Sequence, residues 1–448
     1  MNHLSNHTAV KEIVVNGKDI AVYSSPKQYK QQLMSLINNA DKRIYITALY
    51  LQDDEAGREV LHALYQAKQN NPSLDVKVFV DFHRAQRGLI GEQESLGNRA
   101  LYLKLAEEYQ HDIAIYGVAV KRKELFGVLH LKGMVFDDTL FYTGASINDI
   151  YLQQHERYRL DRYSAISSEA LANSFCQFLD SNFVDSGYAP LLNQPELPTL
   201  AEQKKNVVSL KALLKRSNYE VDNTIHSTVL HEQITIQPLV GYGRRGNKLN
   251  RTVRQLVQQS EKTLTIFTPY FNLPPVLARD VIKALKRGVS ITLIVGDKTA
   301  NDFYIADEES FSTIGIVPYI YEMLLKRFIK RYQRFIDNGL LNVHLWKHEG
   351  NSFHLKGLIA DERFHLLTGS NLNPRAWSLD LENGLLLDDV SKQLQEKFTE
   401  EVLGILVQTS KINHYSDIES VDDYPEKPHK LLNRIRVTQI DRVLKKFL

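Results

Sequence analysis

The octapeptides HLKGMVFD, residues 130–137, and HLKGLIAD, residues 354–361, put one pattern, HxKxxxxD, into a single chain twice. A motif that recurs with its surroundings constrains folding more than composition does, because each copy must occupy an equivalent place in an equivalent unit. The surroundings do recur. ADKRIYITALYL (40–51) aligns with SEKTLTIFTPYF (260–271), each a charged helix end running into an apolar, β-branched strand, with Tyr50 opposite Tyr270. A helical period follows, Val60, Leu61, Leu64 and Tyr65 in one copy and Val281, Ile282 and Leu285 in the other. Then comes a second strand, LDVKVFVD (74–81) or VSITLIVGD (289–297). Beyond the motifs, YTGASIND (142–149) pairs with LTGSNLNP (367–374), after which Glu156 follows Asn148 and Glu382 follows Asn373 at nearly equal distances.

Strand, helix, strand is a βαβ unit, and its repetition predicts two α/β domains related by pseudo-twofold symmetry. The stretch SGYAPLLNQPELPTL (186–200), with three prolines and a glycine, reads as the connection. It gives a first domain over 1–190, a linker over 191–205 and a second domain over 206–448. Halves packed about such an axis would bring the two motifs face to face, so that one site uses both.

On a strand, residues two apart project from the same face, so His130 with Lys132, and His354 with Lys356, are expected to point together at a ligand. Two imidazoles and two ammonium groups suit an anion, and phosphate fits best, with Ser146, Asn148 and Asn373 as further donors. An imidazole can attack phosphorus while its counterpart handles the proton of the leaving or incoming group. Each needs its other nitrogen held by a carboxylate, and Glu156 and Glu382 are the candidates. Asp137 and Asp361 are expected to brace the motifs through local ion pairs. The lysines supply the positive charge, so no metal or other cofactor is required.

Bulk properties exclude some alternatives. A chain of 448 residues is long for one core. Cys176 is the only cysteine, which leaves neither an intrachain disulfide nor a thiolate cluster. The N-terminus lacks the pattern of a secretory signal, and no apolar run is long enough to cross a bilayer. Overall charge is nearly balanced, yet residues 427–448 hold seven Lys or Arg and one Asp.

These paired motifs resemble those of the phospholipase D superfamily, whose duplicated HKD motifs build one site from two halves, each a mixed sheet flanked by helices. VDFHRAQRGLIG (80–91), TPYFNLPP (268–275), GDKTANDFYI (296–305), TGSNLNPRAWSLDLENGLLL (368–387) and DYPEKPHKLLNRIR (423–436) narrow the resemblance to the phosphatidylserine synthase family of Gram-negative bacteria. The resemblance implies transfer of a phosphatidyl group from CDP-diacylglycerol to L-serine, with release of CMP, through a phosphatidyl-histidine intermediate. It points to His130 as nucleophile and His354 as acid and base, an order the residues themselves leave open. In the GAS and GSN triplets after the motifs, Ser146 stands third and Ser370 second, so the two hydroxyls are not equivalent.

Loops after the second strand of each half are the usual place for ligand contacts, which makes Arg84, Gln86 and Arg87, and likewise Lys298, Asn301 and Asp302, candidates for binding substrate. GYGRRGNK (241–248) departs from a nucleotide-binding loop at its last two positions and reads as a basic turn. Two amphipathic segments are candidates for an anionic membrane surface. One carries Lys326, Arg327, Phe328, Lys330 and Arg331, and the other Arg434, Arg436, Lys445 and Lys446. The expected location is cytoplasmic, peripheral to the inner face of the membrane. Cardiolipin synthase or a hydrolytic phospholipase D is the rival within the fold, and a nucleic-acid phosphodiesterase the rival outside lipid chemistry.

Overall fold

The apolar runs that the halves share, Arg43–Thr47 and Thr263–Thr268, become internal strands of two separate sheets. The computed structural model describes residues 12–87, 97–221, 233–306 and 310–437. In the first half the strand order is Ile20–Tyr23, Tyr163–Ser167, Thr139–Thr143, Gly133–Phe136, Arg43–Thr47, Asp75–Asp81, Ala114–Val118. The second half repeats it with Ile234–Tyr242, Leu381–Asp388, Phe364–Thr368, Gly357–Ala360, Thr263–Thr268, Ser290–Gly296, Leu341–Trp346. The last three strands of each series pair in parallel and the others antiparallel, so both sheets are mixed. The second sheet gains an edge strand on each side, Thr409–Ile412 and Ile13–Val15. The latter pairs Ile13 with Ile236, so the start of the chain serves the sheet of the second half.

Parallel neighbours need a crossover, and a helix provides it in each half. Glu55–Asn70 is capped by Asp54, whose side chain accepts from the Gly57 N–H, and it buries Val60, Leu61, Leu64 and Tyr65 on one face. Pro275–Lys286 starts on a proline, which has no N–H to waste in a first turn, and buries Leu277, Val281 and Leu285. Each half has an apolar core of its own under these helices, and a third core is shared, in which Phe79, Leu131 and Phe175 join Phe267, Leu355 and Phe398. Arg162 from the first half crosses this shared core to make a two-pronged ion pair with Glu401 of the second, at 2.8 and 2.5 Å.

The proline-bearing stretch between the halves is strapped along a sheet edge. Gly117 N–H donates to the Pro190 carbonyl at 2.8 Å and Leu192 N–H to the Ile115 carbonyl at 2.7 Å. Arg99 ties down the carbonyls of Leu192, Gln194 and Pro195. The basic GYGRRGNK stretch is a turn between a strand and the helix Lys248–Gln259, which Asn247 caps.

The first of the two candidate membrane segments packs its apolar stripe inward. In the helix Val317–Asp337, Leu325, Ile329 and Phe335 are buried in the second core, and Phe328 packs on Phe271 with ring centroids 5.0 Å apart. Lys326 donates to the Ile418 carbonyl, whereas Arg327, Lys330 and Arg331 are exposed. The helix Glu426–Val437 buries Leu432 beside Tyr319 and Tyr424 and leaves Arg434 exposed. The Arg436 side chain, Lys445 and Lys446 lie outside the described residues. Among those described, no helix is long and apolar enough to cross a membrane.

Candidate active site

Both motif histidines sit where the chain of one half hydrogen-bonds to the other. The His130 N–H donates to the Leu381 carbonyl at 2.9 Å, and the Leu381 N–H returns a bond to Val128 at 3.0 Å. The second copy repeats the exchange, with His354 N–H to the Leu160 carbonyl at 2.8 Å and Ser352 N–H to Tyr158 at 3.0 Å. A glycine follows each motif lysine because the backbone enters the strand there at a positive φ. Gly133 and Gly357 have φ of 115° and 141°, and a Cβ on Gly357 would lie 2.5 Å from the Leu366 carbonyl oxygen.

The residue after each accepting leucine is acidic, and it reaches the histidine of the opposite half. Glu382 Oε2 is 2.9 Å from His130 Nδ1. Asp161 Oδ2 is 3.0 Å from His354 Nδ1 and 2.9 Å from Lys356 Nζ, which itself touches His354 Nδ1. Glu382 is thus where the sequence places it, whereas Glu156 is exposed in a turn and holds no histidine. Asp161 takes that role because the connection after Asn148 is longer than the one after Asn373, which misleads a count from the asparagines. Aligning Leu160–Asp161 with Leu381–Glu382, each leading toward a strand that pairs beyond its motif hairpin, would have found it.

The motif aspartates also differ from expectation. Asp137 and Asp361 occupy turns with φ of 50° and 54°, and their carboxylates accept backbone N–H groups rather than pairing chiefly with charges. Asp137 takes those of Asp41, Lys42 and Arg43, and Asp361 those of Glu261, Lys262 and Thr263. Each pins the start of the adjacent strand, since an extended strand entry leaves several N–H groups without partners. Burial raises the Asp137 carboxyl, but the three N–H donors outweigh it and hold it below the usual range.

Electrostatically the site favours neutral imidazoles. Burial, reinforced by Lys132, holds His130 well below the ordinary imidazole value, and burial with Lys356 takes His354 down to about 3. Burial and the facing Lys356 bring Lys132 down to about 7. Glu382 is pushed up to about 8 by burial against the pull of Lys132 and Lys356. Burial would raise Asp161 as well, yet Lys356 and His354 draw it down to about 2. Lys356 therefore acts on His130, Lys132 and Glu382 as well as on its own histidine, so the charged groups of both motifs converge on one space.

His354 has a further set of neighbours. The Tyr151 hydroxyl lies 2.8 Å from its Nδ1, and Tyr270 stands edge-on at 6.2 Å between centroids. Tyr270 donates to Asp302 Oδ2 at 2.8 Å, and Asp302 Oδ1 is 2.8 Å from Arg159, whose guanidinium lies 4.6 Å from the centre of the Tyr151 ring. The sequence reading named Asp302 but missed Arg159 and Tyr151. The signal for Arg159 was its alternation with Asp161 across Leu160, which puts both on one face of an extended segment.

Other expected site residues have structural partners. Asn148 accepts from the Tyr151 N–H and donates weakly to the Tyr50 hydroxyl at 3.4 Å. Asn373 caps the helix Pro374–Ser378 through the Ala376 N–H. Ser146 and Ser370 are both buried just beyond the motif hairpins. Arg84 lies over the Tyr50 ring at 4.8 Å, close to the site. Gln86 donates to the Phe82 carbonyl, Arg87 pairs with Glu124, and Asn301 accepts from the Phe303 N–H. Lys298 is held between Glu322 and Glu419, so this lysine of the GDKTANDFY loop serves packing rather than the cleft.

Residues 33–157 and 253–402 match the family described as cardiolipin synthase, PLD-like domain. The chain is 40% identical over its full length to a CDP-diacylglycerol–serine O-phosphatidyltransferase of Escherichia coli, of which it covers 98%. It is 41% identical, over 97% of its length and 96% of the relative's, to the enzyme of the same name from Haemophilus influenzae. The crystal structure of the Haemophilus influenzae phosphatidylserine synthase superposes with a TM-score of 0.94, covering 98% of this chain and 97% of that one at 41% identity. With both motifs converging between the halves and similarity running from end to end, the chain belongs to the bacterial phosphatidylserine synthase family, within the phospholipase D-like proteins.

Proposed function

We propose that this protein transfers the phosphatidyl group of CDP-diacylglycerol to L-serine and releases CMP. One observation carries the chemistry: each motif histidine is held at Nδ1 by a carboxylate from the opposite half, which leaves Nε2 for reaction. The relatives bearing that enzyme name support the choice of substrates.

In the first step His130 Nε2 attacks the phosphorus that bears the diacylglycerol. The bond from that phosphorus to the bridging oxygen breaks, and CMP departs as a phosphate, a good leaving group that needs little protonation. Lys132 and Lys356 balance the charge on the non-bridging oxygens as it grows. In the second step His354 takes the proton of the serine hydroxyl, the hydroxyl oxygen bonds to phosphorus, the phosphorus–nitrogen bond breaks to restore neutral His130, and His354 then releases its proton to solvent. The low values keep both imidazoles neutral at rest, so neither attack nor proton removal needs a prior deprotonation, and the carboxyl group at each Nδ1 supports the charge that the ring gains as it reacts. Assigning the base to His354 rests on its neighbours: Tyr151, Arg159 and Asp302 form a polar surround fit for a small acceptor.

The substrate is a membrane lipid, and we place the protein peripherally on the inner face of a bacterial membrane. The exposed Arg327, Lys330 and Arg331 are the basic residues offered to anionic headgroups.

The test is incubation with CDP-diacylglycerol in mixed micelles and labelled serine, alongside separate reactions with DNA and RNA. CMP release with label passing into phosphatidylserine is the expected result, and His354→Ala should accumulate a phosphatidyl adduct on His130. Cleavage of nucleic acid without lipid turnover would refute the assignment.

A further inference from the structure

Two charges of opposite sign are buried beside the proposed base without being sealed in. Arg159 belongs to the first half and Asp302 to the second, and their side chains keep 10% and 16% exposure. Lys356 and Asp161, the other ion pair beside His354, keep 0% and 1%. Of the two pairs around this imidazole, solvent therefore reaches Arg159 and Asp302 and not the other. The pair is also incompletely bonded. Arg159 Nε and Asp302 Oδ1 are buried atoms without a hydrogen bond, although the guanidinium is 2.8 Å from that oxygen. A contact that satisfies Coulomb attraction and not hydrogen-bond direction leaves donor and acceptor capacity unused.

The surround fixes both groups. The guanidinium stacks on Tyr151, whose hydroxyl reaches His354, and the Asp302 carboxylate accepts from Tyr270, whose ring also borders His354. Both charges thus stand one aromatic side chain away from the imidazole that handles the acceptor's proton. An amino acid presents a carboxylate and an ammonium on one carbon and, in serine, a hydroxyl one carbon further.

Resting on the function proposed above, we propose that Arg159 and Asp302 form the acceptor subsite: the guanidinium takes the α-carboxylate, Asp302 takes the α-ammonium, and the hydroxyl is left facing His354. Each charged group exchanges one ionic partner for another, so binding a zwitterion leaves the net charge of the site unchanged. An acceptor lacking the carboxylate leaves Arg159 facing a like-charged neighbour. One lacking the ammonium leaves Asp302 beside a second anion. Both are costly in a buried site. The subsite selects serine over simple alcohols and over water, neither of which bridges the two charges.

Steady-state kinetics on the full-length protein test this, with L-serine, ethanolamine and 3-hydroxypropanoate as acceptors, the last two being serine without its carboxylate and without its ammonium. Asp302→Asn and Arg159→Lys should each raise KM for serine about tenfold or more, the loss of a charge-assisted bond, with KM for CDP-diacylglycerol changed by no more than about twofold. Asp302→Asn should narrow the disadvantage of 3-hydroxypropanoate relative to serine, and Arg159→Lys should not. Uniform loss across the three acceptors with KM for serine unchanged would reduce the pair to a structural brace and overturn the proposal. A thermal melt checks that the variants fold. Wild-type protein supplies an independent reading: L-alanine, which keeps both charges and lacks the hydroxyl, should compete with serine, while propanoate and ethylamine should not. Absence of competition by alanine counts against the subsite even if serine is a good substrate. Wild-type protein that transfers nothing to serine would instead refute the function, and the subsite with it.

Discussion

At the scale of single residues, the carboxylates that hold the imidazoles decide whether the histidines can work. Glu382→Gln and Asp161→Asn each keep the shape of the contact but remove a carboxyl group that orients the ring and can balance its charge once it is protonated, so each should lower kcat by about 10²–10⁴-fold. Glu156→Gln, at an exposed position, should stay within about twofold of the parent; assays of the three variants side by side check the pairing. The motif itself was legible because strand alternation fixes where His and Lys point. Asp161 was not, because chain length between elements is free to vary while contact is not. The capping role of Asp137 and Asp361 was hidden too, since a charge is visible in a sequence and the N–H groups it serves are not. His365 offers a different test. It is buried against Phe398 at 4.2 Å between rings, neither ring nitrogen has a hydrogen bond, and burial followed by the nearby Arg162 takes it down to about 3. An unfolded chain takes up this proton near pH 6.5 and the folded one does not until about 3, so folded stability is full above 6.5 and lost as pH falls between the two values. Each pH unit in that window costs about 1.4 kcal/mol. His365→Phe should flatten this part of the acid limb, read as urea midpoints at pH 7 and pH 5; an unchanged difference between the two pH values would show that other groups carry it.

At the scale of elements, an amphipathic helix has two possible homes for its apolar face, and periodicity does not say which. The helix Val317–Asp337 buries that face in its own core and exposes Arg327, Lys330 and Arg331. Under the proposed membrane role, the attraction of this helix to lipid is electrostatic, without insertion, and depends on salt. Neutralising Lys330 and Arg331 to Gln should weaken binding to vesicles of anionic lipid by about fivefold for each charge at physiological ionic strength. Binding to vesicles of neutral lipid should be unaffected. Co-sedimentation at two salt concentrations separates this from insertion, which salt leaves nearly unchanged. Ile329→Ala, by contrast, should act on folding alone, at a cost of about 2–5 kcal/mol in the thermal unfolding of the protein. The βαβ elements were readable because Glu55–Asn70 and Pro275–Lys286 pack against sheets as their spacing says. The strapping of 186–200 along a sheet edge was not, because prolines mark a break in a hydrogen-bond ladder without saying whether the break lies in solvent or at an edge.

At the scale of the whole molecule, the halves share a core and exchange backbone hydrogen bonds beside each histidine, so the geometry of the proposed site exists only when both are folded together. Strand Ile13–Val15 adds a further tie, joining the start of the chain to the second sheet. Duplication in the sequence foretold two matching units and their face-to-face packing. It could not foretell the crossing of Arg162 to Glu401, because the position opposite Arg162 is Asn383, whose bonds across the interface go to the Lys132 backbone instead of to a charge. Both members of that pair are almost fully buried, and Arg162 also lies over the rings of Phe267 and Phe398 at 5.0 and 5.4 Å. Arg162→Met leaves Glu401 buried without its partner and should cost about 3–5 kcal/mol, whereas adding Glu401→Leu should recover much of that loss. The two tryptophans, Trp346 and Trp377, both lie in the second half, so their fluorescence reports that half, while far-UV circular dichroism reports the whole chain. If the shared core makes folding a single event, the two signals will give one coincident transition in the parent and in both variants, displaced together. Fluorescence and dichroism that separate in Arg162→Met, with part of the dichroism outlasting the tryptophan signal, would mean that the first half stands without the second and that the interface assembles the site without governing stability.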